Sequence, residues 1–204
     1  MAFESLREIF AYLGDIQDRH KAIDAPAMVR ALRTNSGKKD REKWHALIFA
    51  YAYSTALGFS DMQIQMEPQD SEHDATLRWK KNGVEAQMLL QLKEFVPEAL
   101  NPTLTIEELI SRISAQYKHS KGITVGLFLN RESRYDSKVV ISETLLDGFV
   151  IFGVSKPNFG ELFFTGFDKW GKYNHFVPLT PKKKRNISRL ERKGWSSRKK
   201  KNHE

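Results

Sequence analysis

HDATLRWKKNGVEAQMLLQLKEF, residues His73–Phe95, reads as two strands around one tight turn. Asn82-Gly83 is the strongest two-residue hairpin turn a sequence offers, because a type I′ turn needs positive φ at both central positions. With those two residues as the loop, Lys81 faces Val84, Lys80 faces Glu85, Arg78 faces Gln87 and Asp74 faces Gln91. This register puts Asp74, Thr76, Arg78, Lys80, Glu85, Gln87, Gln91 and Lys93 on one face, with Leu89 the only apolar member. Ala75, Leu77, Trp79, Val84, Ala86, Met88, Leu90 and Leu92 make up the other. A slip of one residue would mix the two sets, so the segregation itself supports the register.

Asp74, Gln91 and Lys93 therefore lie together at the end of the hairpin far from the turn. Directly opposed residues have Cβ atoms roughly 5 Å apart. That separation suits a carboxylate and an amide carbonyl sharing a hard cation such as Mg²⁺, with the Leu92 backbone carbonyl as a third oxygen. Lys93 stands where it could stabilise charge developing on a phosphate. The other reading of the same residues is the ordinary solvated face of an amphipathic hairpin.

Working outward, REKWHALIFAYAYSTAL, Arg41–Leu57, is apolar nearly all round and predicts a central buried helix, with Glu42 in its first turn. Met62–Met66 alternates and predicts a strand. After the hairpin, Thr105 and Glu108 form a capping box ahead of a helix with Ile106, Leu109, Ile110, Ile113 and Tyr117 on one face. Ile123–Leu129 is apolar without alternation, as expected of a strand covered on both faces. Lys138–Ser142, Gly148–Val154 and Glu161–Phe167 are weaker strand candidates. Upstream, Phe3, Leu6, Ile9, Phe10 and Leu13 fit one helical stripe, and DAPAMVRALR from Asp24 fits a second short helix. This order predicts an α/β (α+β) domain over residues 1–180, a mixed sheet flanked by helices. It divides into a helical part at 1–39, a core at about 40–130 and C-terminal strands at 138–170. Residues 181–204 are expected to form a basic, flexible tail.

A helix with an early Glu, a strand, a hairpin strand beginning at Asp, a strand ending in an acid-x-Lys position, a helix and an apolar strand resembles the PD-(D/E)XK nuclease superfamily. The likeness covers about Asp40 to Asn130 and is carried by Glu42, Asp74, Gln91 and Lys93. Gln91 replaces the usual acid in QLK, as in the similar Q-x-K motif of Mrr-type restriction enzymes, and there is no Pro before Asp74. The resemblance implies a restriction-endonuclease-like fold. It implies Mg²⁺ or Mn²⁺ held by Asp74, Gln91 and Leu92, hydrolysis assisted by Lys93, and support from Glu42. The implied activity is phosphodiester cleavage, with DNA favoured over RNA as substrate, by an enzyme that can act as a homodimer.

Charge places the nucleic-acid signal in the tail. Residues 181–204 carry eleven Lys and Arg against Glu191 and Glu204, a net +9, while the whole chain is +8, which leaves the remainder at −1. Lys182, Lys183, Lys184, Arg185, Lys199, Lys200 and Lys201 are the expected phosphate-binding residues there, with Arg78 their counterpart on the hairpin. The slight negative charge of the body favours two other functions. One is a non-catalytic nucleic-acid-binding protein of the same fold; the other is an interaction module whose tail docks an acidic partner. The absence of Cys excludes disulfides and thiolate metal sites. MAFESLREIF lacks the apolar run of a signal peptide, and Ala46–Leu57 is too short to span a bilayer. A soluble cytoplasmic protein is expected, with no membrane partner.

Overall fold

The computed structural model describes residues 4–5, 35–131, 146–155 and 160–178. Their elements in chain order are β1 (Glu4–Ser5), α1 (Asn35–Leu57), β2 (Gln63–Met66), β3 (Ala75–Lys81), β4 (Val84–Phe95), a 3-10 turn (Glu98–Leu100), α2 (Ile106–Tyr117), β5 (Ile123–Leu129), β6 (Gly148–Val154), β7 (Glu161–Asp168) and β8 (Gly171–Pro178). All the strands lie in one mixed sheet, in sequence order, with β1 contributing only two residues at its edge. β4 runs parallel to β5, and β5 parallel to β6; the other neighbours are antiparallel.

The sheet separates two apolar layers. On one side α1 packs Leu47, Phe49 and Tyr53 against Leu77, Trp79, Leu90, Leu92, Phe152 and Phe164. On the other, Ile106, Ile110 and Ile113 of α2 meet Phe95, Val125, Leu127, Phe149 and Ile151. The sheet curls about α1, which touches β2 near one edge and β8 at the other. The curl brings Trp79 of β3 against Trp170 in the β7–β8 turn, with ring centroids 5.4 Å apart. β5 is buried along nearly its whole length, as its unbroken apolar run predicts. Gly126 in β5 lets α1 approach closely, since a Cβ there would meet the Phe49 ring at 3.0 Å.

A buried carboxylate fixes the far side of the curl. The Tyr53 hydroxyl donates to Asp168 Oδ2 at 2.9 Å. Tyr173 Oη donates to Asp168 Oδ1, and the Trp170 N–H reaches Oδ1 at 2.7 Å. Burial raises the Tyr53 and Tyr173 hydroxyls well above the ordinary phenol value, so both remain donors.

Several sequence expectations need correction. α1 begins at Asn35 rather than Arg41, so Glu42 lies inside the helix and not in its first turn. The helical stripe expected from Phe3 is interrupted where Glu4–Ser5 forms a strand against Gln63–Ile64; its remainder and the helix from Asp24 lie outside the described residues. β2 starts at Gln63, leaving Met62 before the strand. Val84, assigned to the apolar face, is 69% exposed because that face extends past the core at the turn. β8 is a strand the sequence did not announce. The candidate strand Lys138–Ser142 and the tail, including Lys182, Lys183, Lys184, Arg185, Lys199, Lys200 and Lys201, lie outside the described residues.

Candidate functional site

The hairpin register is the expected one. Ala75 pairs with Leu90, Arg78 with Gln87 and Lys81 with Val84. Asn82 and Gly83 adopt φ of 54° and 79°, the positive pair that a type I′ turn demands. Asp74 sits one residue before β3 and extends the ladder through its N–H, which donates to Leu90 O at 2.9 Å. Glu67, just past β2, donates its N–H to Asp74 O at 2.9 Å. The Asp74 backbone is thus held from both neighbouring strands.

The side chains converge as the register implies. Gln91 Nε2 donates to Asp74 Oδ2 at 2.5 Å, and the Leu92 N–H donates to the same oxygen at 2.6 Å. Gln91 Nε2 also lies 3.4 Å from Leu92 O. Burial pushes the Asp74 carboxyl above its usual value, while the Leu92 N–H and the charges of Lys93, His73 and Lys38 oppose that shift. Lys93 is half-buried and places Nζ over the Tyr117 ring of α2, 5.1 Å from its centroid.

This end of the face is partly shielded from solvent, with Asp74 and Lys93 half-buried. Thr76 and Gln91 are each only 8% exposed, and Thr76 is bonded to Glu67 and His73 of the β2–β3 connection. Toward the turn the same face opens to solvent at Lys80, Glu85 and Gln87. Arg78 is half-buried, on the same strand face as Asp74 but four residues away. It lines a shallow cleft of about 210 Å³ with Asp61, Gln63, Trp79, Lys80 and Glu85.

Glu42 is not brought into direct contact with Asp74. Its carboxylate meets Lys38 Nζ at 3.6 Å across one helical turn, and Lys38 is one of the charges felt by Asp74. Glu67 and His73, to which the sequence assigned no role, border the site. Thr76 Oγ1 donates to Glu67 Oε1 at 2.7 Å, and His73 Nε2 lies 3.1 Å from Thr76 Oγ1 and 3.8 Å from Glu67 Oε1. Because Thr76 commits its one proton to Glu67, its oxygen accepts from His73, which fixes the ring with Nε2 protonated. Glu94 is a further acid near this end, paired with Arg41 Nε at 3.6 Å and accepting from Asn130 Nδ2 at 2.7 Å. The sequence carried one usable clue to Glu67, its position directly before the loop that leads to Asp74.

Asp74 Oδ2 and Leu92 O both approach one point, now taken by the Gln91 amide nitrogen. Turning the Gln91 amide over would set Oε1 against Asp74 Oδ2, an arrangement that needs a proton or cation between the oxygens. As it stands, the Gln91 amide and the Leu92 N–H satisfy Asp74 Oδ2; only with the Gln91 amide turned over would Asp74, Gln91 and Leu92 present three oxygen donors to a hard cation. Among the described residues no group of three or more His, Cys, Asp and Glu side chains is arranged to hold a metal, so such a site has a single acid. No helix of the described residues is long and apolar enough to cross a membrane.

No protein-family model, no curated protein and no solved structure matches the chain.

Proposed function

We propose that this protein is a metal-dependent nuclease that hydrolyses phosphodiester bonds of DNA, built on a restriction-endonuclease-like core. The observation that carries the reading is the pairing of Asp74 with Gln91 across β3 and β4, with Lys93 two residues further on. The surrounding order supports it: helix α1, three antiparallel strands β2–β4, crossover helix α2, then β5 parallel to β4. Asp74, Gln91 and the Leu92 carbonyl would hold Mg²⁺ or Mn²⁺, which when bound supplies Lewis-acid polarisation of a phosphoryl oxygen. Lys93 contributes a fixed positive charge for the phosphate as negative charge builds on it, and the Tyr117 ring holds that ammonium in place. The Leu92 N–H keeps the Asp74 carboxylate oriented. The basic tail adds sequence-independent attraction to phosphates.

The test is cleavage of supercoiled DNA, linear DNA and RNA with Mg²⁺ or Mn²⁺, comparing the intact protein with Lys93→Ala. Metal-dependent cutting of DNA that disappears in the variant is the expected result. Absence of cutting by the intact protein, with DNA binding retained, would overturn it. A second reading, a nucleic-acid-binding protein of this fold that does not cut, draws on one observation. Asp74, Gln91 and Lys93 together bring one negative and one positive charge, so the trio adds no net attraction for a cation.

A further inference from the structure

At the opposite end of the hairpin from Asp74, two turns that are distant in sequence meet on one indole ring. Lys81, the last residue of β3, places Nζ 5.0 Å from the Trp170 ring centroid. Lys169, in the β7–β8 turn, places Nζ 5.1 Å from the same centroid. Both lysines are exposed, while Trp170 is half-buried and packs edge-on against the fully buried Trp79. The Trp170 backbone is fixed as well, its N–H bound to the buried Asp168 carboxylate. A rigid aromatic platform thus gathers two cations that would otherwise repel. Each ammonium group lies about 5 Å from one centroid, so the two are at most roughly 10 Å apart, comparable to the Debye length at 0.1 M salt, and present two neighbouring positive charges to a partner.

We infer that Lys81 and Lys169, held on Trp170, form an exosite for the sugar–phosphate backbone of nucleic acid, separate from the Asp74 site. The inference rests on the nucleic-acid reading given above. Lys81 is seven residue steps of extended strand from Asp74, about 23 Å along β3. Lys81 also follows the Trp79 face of the hairpin, whereas Asp74 lies on the other. A backbone bound at the spot is therefore not the phosphate being attacked. The chemistry is that of point-charge recognition: two ammonium groups supply donors and charge with no planar fork for reading base edges, so the contact is independent of sequence. Neighbouring Lys80 adds a third exposed ammonium, offset by Glu85 directly across the strand pair.

The test uses the full chain with Lys81→Ala and Lys169→Ala combined, against Arg112→Ala with Lys121→Ala, which removes the same charge from exposed positions on and just after α2. Binding of a labelled DNA duplex is followed by fluorescence anisotropy across a salt series with EDTA present, and cleavage is followed separately with Mg²⁺. The exosite variant is expected to bind roughly tenfold more weakly, with a salt slope reduced by about 1.8, while the control pair keeps the native slope. In cleavage, KM rises and kcat is unchanged. An unchanged slope and affinity in the exosite variant overturns the proposal, as does an equal loss in both double variants, which would report net charge alone. Binding to vesicles of phosphatidylserine that falls in the exosite variant while DNA binding does not would also overturn it. The two readings separate cleanly: intact protein that never cuts, with binding lost in the exosite variant, removes the nuclease activity and leaves the exosite standing. Lys93-dependent cutting with unaltered binding in the exosite variant removes only the exosite.

Discussion

The amide nitrogen of Gln91 lies 2.5 Å from Asp74 Oδ2, and Gln91 is buried while Asp74 is half-buried, so the polar pair that bridges the two strands is partly shielded from water. A neutral amide beside a lone carboxylate is a balanced arrangement; a second carboxylate there would not be. Gln91→Glu is expected to lower the melting temperature without metal, because two carboxylates would share one partly buried site. Mg²⁺ should restore the loss and bind at least about tenfold more tightly than to the native protein, given the added charge. Thermal melts over an Mg²⁺ titration measure both effects, and a variant indifferent to Mg²⁺ would remove Asp74 and Gln91 from the role of cation ligands.

Asp74 itself carries a cost. Its carboxyl is raised above its ordinary value chiefly by burial, so the folded protein binds a proton more readily than the unfolded chain. The native state is therefore penalised at pH values above the folded pKa, and the penalty fades as pH falls toward and below 3.8. Asp74→Asn is expected to be more stable than the native protein at pH 7, with the difference shrinking on acidification. Paired denaturation curves across pH test this; a variant less stable at pH 7 would mean that its bonds to Gln91 and Leu92 outweigh burial.

Lys93 is aimed by Tyr117, and the two should be separable. Lys93→Ala is expected to reduce cleavage at least about 100-fold while leaving the fold intact. Tyr117→Phe keeps the ring face under the ammonium and should retain most activity, whereas Tyr117→Leu removes it and should lower kcat more than it raises KM. Equal effects of the two Tyr117 substitutions would exclude the ring from positioning Lys93.

The Asp168 anchor sets another measurable quantity. Tyr53→Phe withdraws one of the donors that satisfy a buried carboxylate and should cost about 1.5–3 kcal/mol. Gly126→Ala pushes a methyl into the Phe49 ring and should cost about 1–3 kcal/mol through overpacking. Chemical denaturation measures both, and a neutral Gly126→Ala would show that the α1–β5 contact yields without strain.

The tail prediction follows from charge alone. Removing residues 181–204 takes away a net +9 and should weaken DNA binding and flatten its dependence on salt. An unchanged salt slope would place the phosphate contacts entirely in the folded body.

The hairpin was legible because its turn chemistry and its two faces specify the same register, and Asp74 opposite Gln91 followed directly. β5 was legible because a strand covered on both sides has no polar alternation to disguise it. The start of α1 was hidden: Asn35–Asp40 holds Gly37 and polar residues, and a helix extended past its apolar section leaves no periodic signal. β8 was hidden for a different reason. Only Tyr173 and Val177 are buried along it, and its pairing with β7, not its own composition, makes it a strand. Glu67 and His73 were unreadable as site neighbours because their positions come from the β2–β3 connection folding back over Thr76, a tertiary consequence with no local pattern.

The hydrogen bond from the Tyr51 hydroxyl to Pro178 O, 2.7 Å long, joins positions 127 residues apart. The helix that forms the middle of the larger apolar layer is thus completed by strands that come far later in the chain. Local hairpins such as β3–β4 can form early, but enclosing α1 requires long-range closure, whose entropic cost precedes any gain from packing. Until β7 and β8 arrive, Phe49 and Tyr53 lack their contacts with Phe164 and Tyr173. Slow refolding is the expected kinetic consequence of wrapping a sheet around an early helix.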